Sequence, residues 1–365
     1  MQEKVCWLGW QIVLPGLAKR IWNLVERFGS ARAAWRASEQ DLVETGGFSR
    51  ESAEALVRRR AEVDLEAALA RLEKSNIKYV QFNDSGYPEM LRRIFDPPPG
   101  LFVQGTLPPA DGLAVAIVGS RRPTPYGLAV AEKIAGELAQ AGIIVVSGMA
   151  RGIDSSAHQG ALVAGGTTIA VLGCGVDVVY PRENQRLMEK IISAGAVVSE
   201  YPPGTTPEPW HFPVRNRIIS GIAKATVVVE AGERSGALIT ADCALEQGRD
   251  VLAVPGNISS PLSRGPNRLI KQGARLVENV ADILEEIGVS SLFKQQAGKT
   301  PVFPRLTDGE KAVYHLLSHE PAHLDELISR SGLPAQEVLA GLMFLEIKGL
   351  VRQMPGKFYV LRTLN

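Results

Sequence analysis

Residues 114–119 read AVAIVG, 142–148 GIIVVSG, 167–173 TTIAVLG, 195–200 GAVVSE, 225–231 ATVVVEA and 250–256 DVLAVPG. These β-branched runs do not alternate polar with apolar residues, so each reads as a strand buried on both faces. Helical stretches separate them and supply the crossovers that parallel pairing needs. The pattern predicts a doubly wound, mostly parallel α/β domain over about 88–288, with its core starting at Ala114.

Upstream, in 1–87, apolar residues recur at three- and four-residue spacings: Ile21, Leu24, Val25 and Phe28, then Leu42 and Val43, then Ala55 and Leu56. The breaks LPGL (14–17) and TGGFS (45–49) cut this region into short helices. Helices joined by Gly hairpins form the helix-hairpin-helix pattern, whose amides can hold a phosphate; a small bundle that caps or spaces explains the same residues. Residues 96–100, DPPPG, read as a rigid extended turn toward the sheet.

Downstream, 289–305 is a polar, Gly- and Pro-containing linker. The stretch 306–365 reads as three helices, 308–317, 324–331 and 335–348, then two short strands around Pro355-Gly356. That order predicts a winged-helix-like unit. Its third helix carries one basic residue, Lys348, against Glu337 and Glu346, and 306–365 holds six Lys+Arg against seven Asp+Glu. A helix that tracks phosphates needs more positive charge, which favours a protein-contact module over a duplex reader.

The chain has 365 residues, 45% of them hydrophobic, with 40 Lys+Arg against 39 Asp+Glu and a net charge of +1. At roughly 150 residues per domain this is enough for two or three cores, and wholesale disorder is excluded. Neutrality removes bulk polyanion attraction, so any nucleic-acid binding must come from locally concentrated cations. Three scattered cysteines without a Cys-x-x-Cys pair suggest neither a disulfide framework nor a zinc site. No signal-peptide pattern opens the sequence and no run reaches the roughly 18 apolar residues of a membrane span. A cytoplasmic protein without membrane attachment is expected.

Ligands of open parallel sheets bind where strands feed into helices, and here basic residues follow every one of the six strands. Ser120, Arg121 and Arg122 follow the first; Arg151 and Gly152 the second; Arg182 the third; Arg215, Asn216 and Arg217 the fourth; Arg234 the fifth; Arg264, Arg268 and Lys271 the sixth. Helix N-termini at the same edge add to the positive potential. Arginines in successive loops suit an extended polyanion, with amides at Ser120, Gly152 and Gly236 for single phosphates. No loop resembles a groove-reading ribbon, so a single strand is favoured, with Tyr126, Tyr180, Trp210 and Phe212 as candidate stacking rings.

Other chemistries find little support. GCGVDV (173–178) and GSRRPTPYG (119–127) both lack the spacing of a dinucleotide fingerprint, and no Walker A sequence is present, so no cofactor is expected. Asp154 and His158 could form an acid/base pair, but a helix-capping Asp154 and a packed His158 explain the same residues. His211, between Trp210 and Phe212, reads as a loop anchor or stacking residue. No catalytic or metal-ligand set emerges.

Seven motifs carry a family resemblance: GSRRPTPYG, SGMARGIDSSAH, GCGVDVVYPRENQRL, SEYPPG, FPVRNRIISG, VVVEAGERSGALITADCALEQGRDVLAVPG and NRLIKQGA. In this order the chain resembles the DprA, or Smf, family of DNA processing proteins over nearly its whole length. A departure is Gly265-Pro266-Asn267, where the family usually has Gly-Ser-Asn. The resemblance implies an extended Rossmann-like core between a helical sterile-alpha-motif or helix-hairpin-helix domain and a winged-helix-like domain. It implies a non-enzymatic, homodimeric single-stranded DNA-binding protein. Such proteins protect DNA taken up in natural transformation, displace single-strand-binding protein and load the RecA recombinase. Carried over by motif, Ser120, Arg121, Arg151, Gly152, Arg182, Arg215, Asn216 and Arg217 are expected DNA contacts, with Arg122, Arg268 and Lys271 added from the strand-end reading. A rival reading is a phosphoribohydrolase-like enzyme on a nucleotide; its catalytic Glu motif would fall on EAGERSGALITA, where Thr240 and Ala241 stand in place of an acid.

Overall fold

The structure, a computed structural model, describes residues 2–289, 306–318 and 321–361. The expected linker, 289–305, lies outside the described residues apart from Val289. Nine strands form one sheet: β1 (Lys78–Gln81), β2 (Gly100–Gly105), β3 (Ala114–Val118), β4 (Ile144–Ser147), β5 (Thr168–Val171), β6 (Ala196–Ser199), β7 (Ala225–Val228), β8 (Asp250–Ala253) and β9 (Arg275–Leu276). Their order is β1-β2-β6-β5-β4-β3-β7-β8-β9. From β6 to β9 all neighbours are parallel, while β2 runs antiparallel to β6 and β1 antiparallel to β2. The chain is thus doubly wound about β3, with β4, β5 and β6 added on one side and β7, β8 and β9 on the other.

All six apolar runs are strands, and the reason is visible in β3. Ala114, Ala116 and Val118 pack into the core under the helices His211–Ile222 and Gly236–Glu246, while Val115 and Ile117 face Pro125–Gln140 and Ile153–Val163. A strand covered on both faces has no polar side to show. β1 carries no such run, and in β2 the buried apolar stretch is only Leu101, Phe102 and Val103. Consequently β1 belongs to the sheet although its residues fall in the stretch read as the helical domain, 1–87.

The helical domain packs six helices, Glu3–Val13, Ala18–Phe28, Ala31–Arg36, Glu39–Glu44, Arg50–Ala61 and Leu65–Lys74. Its centre is aromatic: Trp7 meets Trp22 at 4.8 Å, Trp10 meets Trp35 at 5.1 Å, and the Trp10 indole donates to Ala31 O. Gly16 and Gly47 adopt positive φ in the two hairpins where the breaks stood. The domain docks on the sheet through Leu8, Leu72 and Ile77 against Phe102. A polar pin crosses the same seam: buried Gln11 donates from Nε2 to Gly100 O (2.8 Å) and Glu200 O (2.7 Å) and accepts from the Tyr79 hydroxyl (3.0 Å).

The C-terminal unit contains the helices Asp308–Tyr314, Leu324–Ser331 and Ala335–Ile347 and a small sheet of β10 (Ala322–His323), β12 (Phe358–Leu361) and β11 (Val351–Met354). Val313, Leu327, Val338, Leu342 and Leu345 form its core. Three helices with a terminal hairpin make a winged-helix arrangement; β10 is the one element there that the sequence pattern does not announce. Leu339, Met343, Phe344 and Ile347 on its third helix remain exposed.

Gln11 generates a test. Gln11→Ala leaves two buried carbonyls without a donor, which should destabilise the protein by about 2–4 kcal/mol. Urea unfolding should show a lower midpoint at an unchanged slope. An unchanged midpoint would mean that apolar packing alone holds the two domains together.

Candidate nucleic-acid interface

The sheet order splits at β3, whose neighbours β4 and β7 continue in opposite directions, and a cleft of ≈ 770 Å³ opens there at the carboxyl ends of the strands. Ser120, Arg121, Arg122, Arg215, Asn216 and Arg234 line it, with Tyr180 and Phe212. Among its described lining residues Asp154 is the one acid, so its lining is strongly cationic.

Its floor is a buried guanidinium. Arg215, 4% exposed, donates from Nη1 to Gly148 O (2.7 Å) and to Val171 O, the carbonyls at the ends of β4 and β5. Parallel strands converge here with unpaired carbonyls, and a planar cation satisfies two of them at once. A Cβ on Gly148 would stand 2.6 Å from Arg215 Nη1, so glycine is required for this approach. Burial pushes the Arg215 guanidinium down to about 10, with the Asp154 carboxylate opposing the shift. Asp154 is itself raised by burial, with Arg215 opposing.

On this floor stands a stack. The Phe212 ring lies 5.9 Å from the Arg215 guanidinium and 5.2 Å from that of Arg121, and Tyr180 packs beside it at 5.4 Å. Arg121 and Arg122 are exposed. Their loop is held by Glu230 at the end of β7, which accepts from Thr124 N (2.8 Å) and Thr124 Oγ1 (2.6 Å), while its carbonyl accepts from Ser120 N (2.6 Å). Ser120 Oγ in turn accepts from Arg122 N. Gly152 has φ +78°, and a Cβ there would collide with Ser120 O, so the loops after β3 and β4 interlock through that glycine.

The other expected residues separate into three places. Arg151 is exposed and ion-paired with Glu183, and Asn184 ties this segment to Met149 O and Ser155 Oγ, both at 2.9 Å; exposed Arg182 lies on the same rim. Arg268 and Lys271 are exposed on the helix Arg264–Lys271 beyond β8 and do not line the cleft. Arg217 is 8% exposed and faces away, paired with Glu200 (2.6 Å) and Asp96 (3.1 Å). Arg215 and Arg217, expected contacts by motif, are both buried: Arg215 donates to backbone carbonyls and Arg217 is paired with Glu200 and Asp96. Asn216 lines the cleft, yet its amide donates to Gly236 O (3.2 Å). Pro266 sits in the first turn of its helix, where a missing amide donor is tolerated.

Arg234 and Glu230 belong to the site without standing among the residues the sequence motifs assign to it. Arg234 was visible as the cation after the fifth strand. Glu230 gave no signal, because an acid ending a strand shows nothing of the loop, 106 residues away in sequence, that it holds.

Asp154 and His158 do not act on each other. Asp154 Oδ2 accepts from Ala150 N (3.4 Å), while His158 Nδ1 meets Thr168 Oγ1 (2.7 Å). The Thr168 hydroxyl donates to Val145 O, which leaves it the acceptor and assigns the His158 proton to Nδ1. His211 anchors its loop on Gly173 O (3.0 Å) and packs against Tyr201 and Trp210 at 4.0 Å each. Among the described residues no cluster of His, Cys, Asp or Glu could hold a metal ion, and no helix is long and apolar enough to cross a membrane.

Comparison with known proteins places this architecture. Residues 78–288 match the family model of DNA recombination-mediator protein A, and 297–357 match that of the DprA winged helix domain. The chain belongs to the DprA family. Protein Smf of Synechocystis sp. is 35% identical over 98% of each chain. The DprA structure from Streptococcus pneumoniae superposes with a TM-score of 0.65 at 37% identity, covering 74% of this chain and 94% of that one. DNA processing protein A from Helicobacter pylori, a structure concerned with its single-stranded DNA binding mode, gives 0.51 at 29% identity, covering 60% and 97%. The DprA model begins at residue 78, the first residue of β1, in line with that strand's place in the sheet.

His158 provides a pH test of the packed floor. Burial holds its imidazole down to about 3, against an ordinary 6.5, with Arg215 adding to the shift. The unfolded chain therefore takes up a proton below pH 6.5 that the folded chain refuses until near pH 3. Its contribution is complete above 6.5 and is lost as pH falls, at roughly 1.4 kcal/mol per unit. Urea midpoints measured from about pH 7 to about pH 5 should fall in the wild type and fall less steeply in His158→Leu. Parallel curves would show that His158 is not held neutral.

Proposed function

We propose that this protein is a non-enzymatic, single-stranded DNA-binding recombination mediator. It protects incoming DNA and loads the RecA recombinase in natural transformation, displacing single-strand-binding protein, and it works as a cytoplasmic homodimer. The observation that carries the reading is the Arg121–Phe212–Arg215 stack in an arginine-lined cleft at the sheet's switch point. Exposed guanidinium groups suit phosphates, while Phe212, Tyr180 and half-exposed Trp210 suit bases, a pairing that tolerates any sequence. Family membership and the Helicobacter pylori relative's DNA binding support the same ligand.

Arg121, Arg122, Arg182 and Arg234 are the proposed phosphate contacts, with Ser120, Gly152 and Asn216 shaping the loops; Arg151 contributes once released from Glu183. Arg215 acts as the floor. Arg217, Arg268 and Lys271 lie outside this cleft. An enzymatic reading on a nucleotide is disfavoured by Thr240, a buried cleft residue standing where a catalytic acid would be wanted. The exposed apolar face of the C-terminal third helix suits a protein better than a DNA groove, so residues 2–289 should suffice for strand binding.

Fluorescence anisotropy with single- and double-stranded oligonucleotides tests the reading. Single strands should bind more tightly, and Arg121→Ala with Arg182→Ala should weaken binding at least tenfold while lowering the salt slope by about 0.7 per lost phosphate contact. Preference for duplex, or an unaffected double variant, overturns it.

A further inference from the structure

Phe95 is 86% exposed, although its flanks are firmly held. Asp96 is bound by Arg217, the Trp22 indole donates to Pro97 O (2.7 Å), and the Tyr87 hydroxyl donates to Pro98 O (2.8 Å). An ordered segment that keeps a phenyl ring in water gains nothing from it in folding. Lys19 Nζ lies 5.3 Å from the ring centroid. Lys19 and Arg20, both exposed, open the helix Ala18–Phe28, directly after the LPGL hairpin that the strand-end cleft leaves without a role.

These residues line a second cleft of ≈ 390 Å³ between the helical domain and the sheet domain. Pro213, exposed in the first turn of His211–Ile222, belongs to both clefts, so the two adjoin across it. Of the acids lining the second cleft, Asp96 is paired with Arg217, which leaves Glu246 against Lys19 and Arg20, neither of which forms a salt bridge among the described residues. The lining is mildly positive and one aromatic face is open, which matches a nucleotide chain better than an apolar peptide.

We infer that single-stranded DNA leaving the strand-end cleft continues over Pro213, with a base stacked on Phe95 and the adjacent phosphates met by Lys19 and Arg20. This makes the helical domain part of the binding track. It rests on the proposed single-strand function, and the experiment separates the two. Oligo-dT of about 6 and about 20 nucleotides, lengths that fill one cleft or span both, are titrated by anisotropy. Wild type should bind the longer strand more tightly. Phe95→Ala, and separately Lys19→Ala with Arg20→Ala, should lose about tenfold on the longer strand and stay within twofold on the shorter, and Phe95→Trp should restore the difference. All three are surface changes, checked by an unchanged melting temperature. Wild-type affinity for both strands with no effect of these variants overturns the second contact alone. Absence of single-strand binding in wild type overturns the cleft reading and this one with it. Equal loss on both lengths also overturns it, because the second cleft would then not be an extension.

Discussion

The guanidinium of Arg215 is the constraint on which the rest of the site depends. Where β4 and β5 end side by side, their last carbonyls have no strand partner, and an unpaired buried carbonyl costs on the order of 1–3 kcal/mol. Arg215 reaches Gly148 O and Val171 O from the helix His211–Ile222, and Gly148 has no Cβ to stop it. A buried cation is itself costly, and Asp154 beneath the same loops supplies the counter-charge. Phe212 then lies over Arg215 and Arg121 over Phe212. One exposed arginine is therefore positioned by one buried arginine through a ring, and the floor closes the sheet edge while building the cleft.

Such a floor requires the loops above it to be fixed by other means, and Glu230 supplies them. Its carboxylate takes both donors of Thr124, and the Thr124 hydroxyl also caps the helix Pro125–Gln140 by accepting from Gly127 N. The segment from Ser120 to Thr124 is thus tied at both ends to the end of β7. Arg121 and Arg122 stand on a short span with little freedom left to lose on binding, which is what preorganisation means here.

The parallel sheet was legible because strands covered on both faces must be apolar throughout, a property that survives in the sequence without any knowledge of partners. The strands β1, β2 and β9 were not: β1 and β9 are short elements at the two edges, and in β2 the apolar stretch is only Leu101, Phe102 and Val103 between Gly100 and Gln104. Basic residues after every strand marked the carboxyl edge of the sheet, where the cleft opens. They did not tell exposed cations from buried ones: Arg215 and Arg217 stand two residues apart in the same helix, yet one faces the cleft and the other faces Asp96 and Glu200. That difference depends on which far segments fold against each side of the helix. Asp154 and His158 show the same limit, because i, i+4 spacing allows a contact that Thr168 and Ala150 take instead.

The near-neutral total of 40 against 39 acquires a structural meaning from this partition. A buried cation beside a protein carboxylate, as Arg215 is beside Asp154 and Arg217 beside Asp96 and Glu200, keeps its charge but has its counter-charge within the protein, so on the proposed reading it adds little to counterion release when a strand arrives. Arg121, Arg122, Arg182 and Arg234 are exposed, and on the proposed reading they supply that exchange. Counting arginines along the strand ends therefore overstates the electrostatic attraction and understates the rigidity. The buried members fix where the exposed ones stand, and the exposed ones are few enough that long-range attraction stays weak. On the proposed reading, capture then depends on a strand fitting its phosphates and bases to a preformed edge, and a polyanion that cannot splay its bases gains little from this surface.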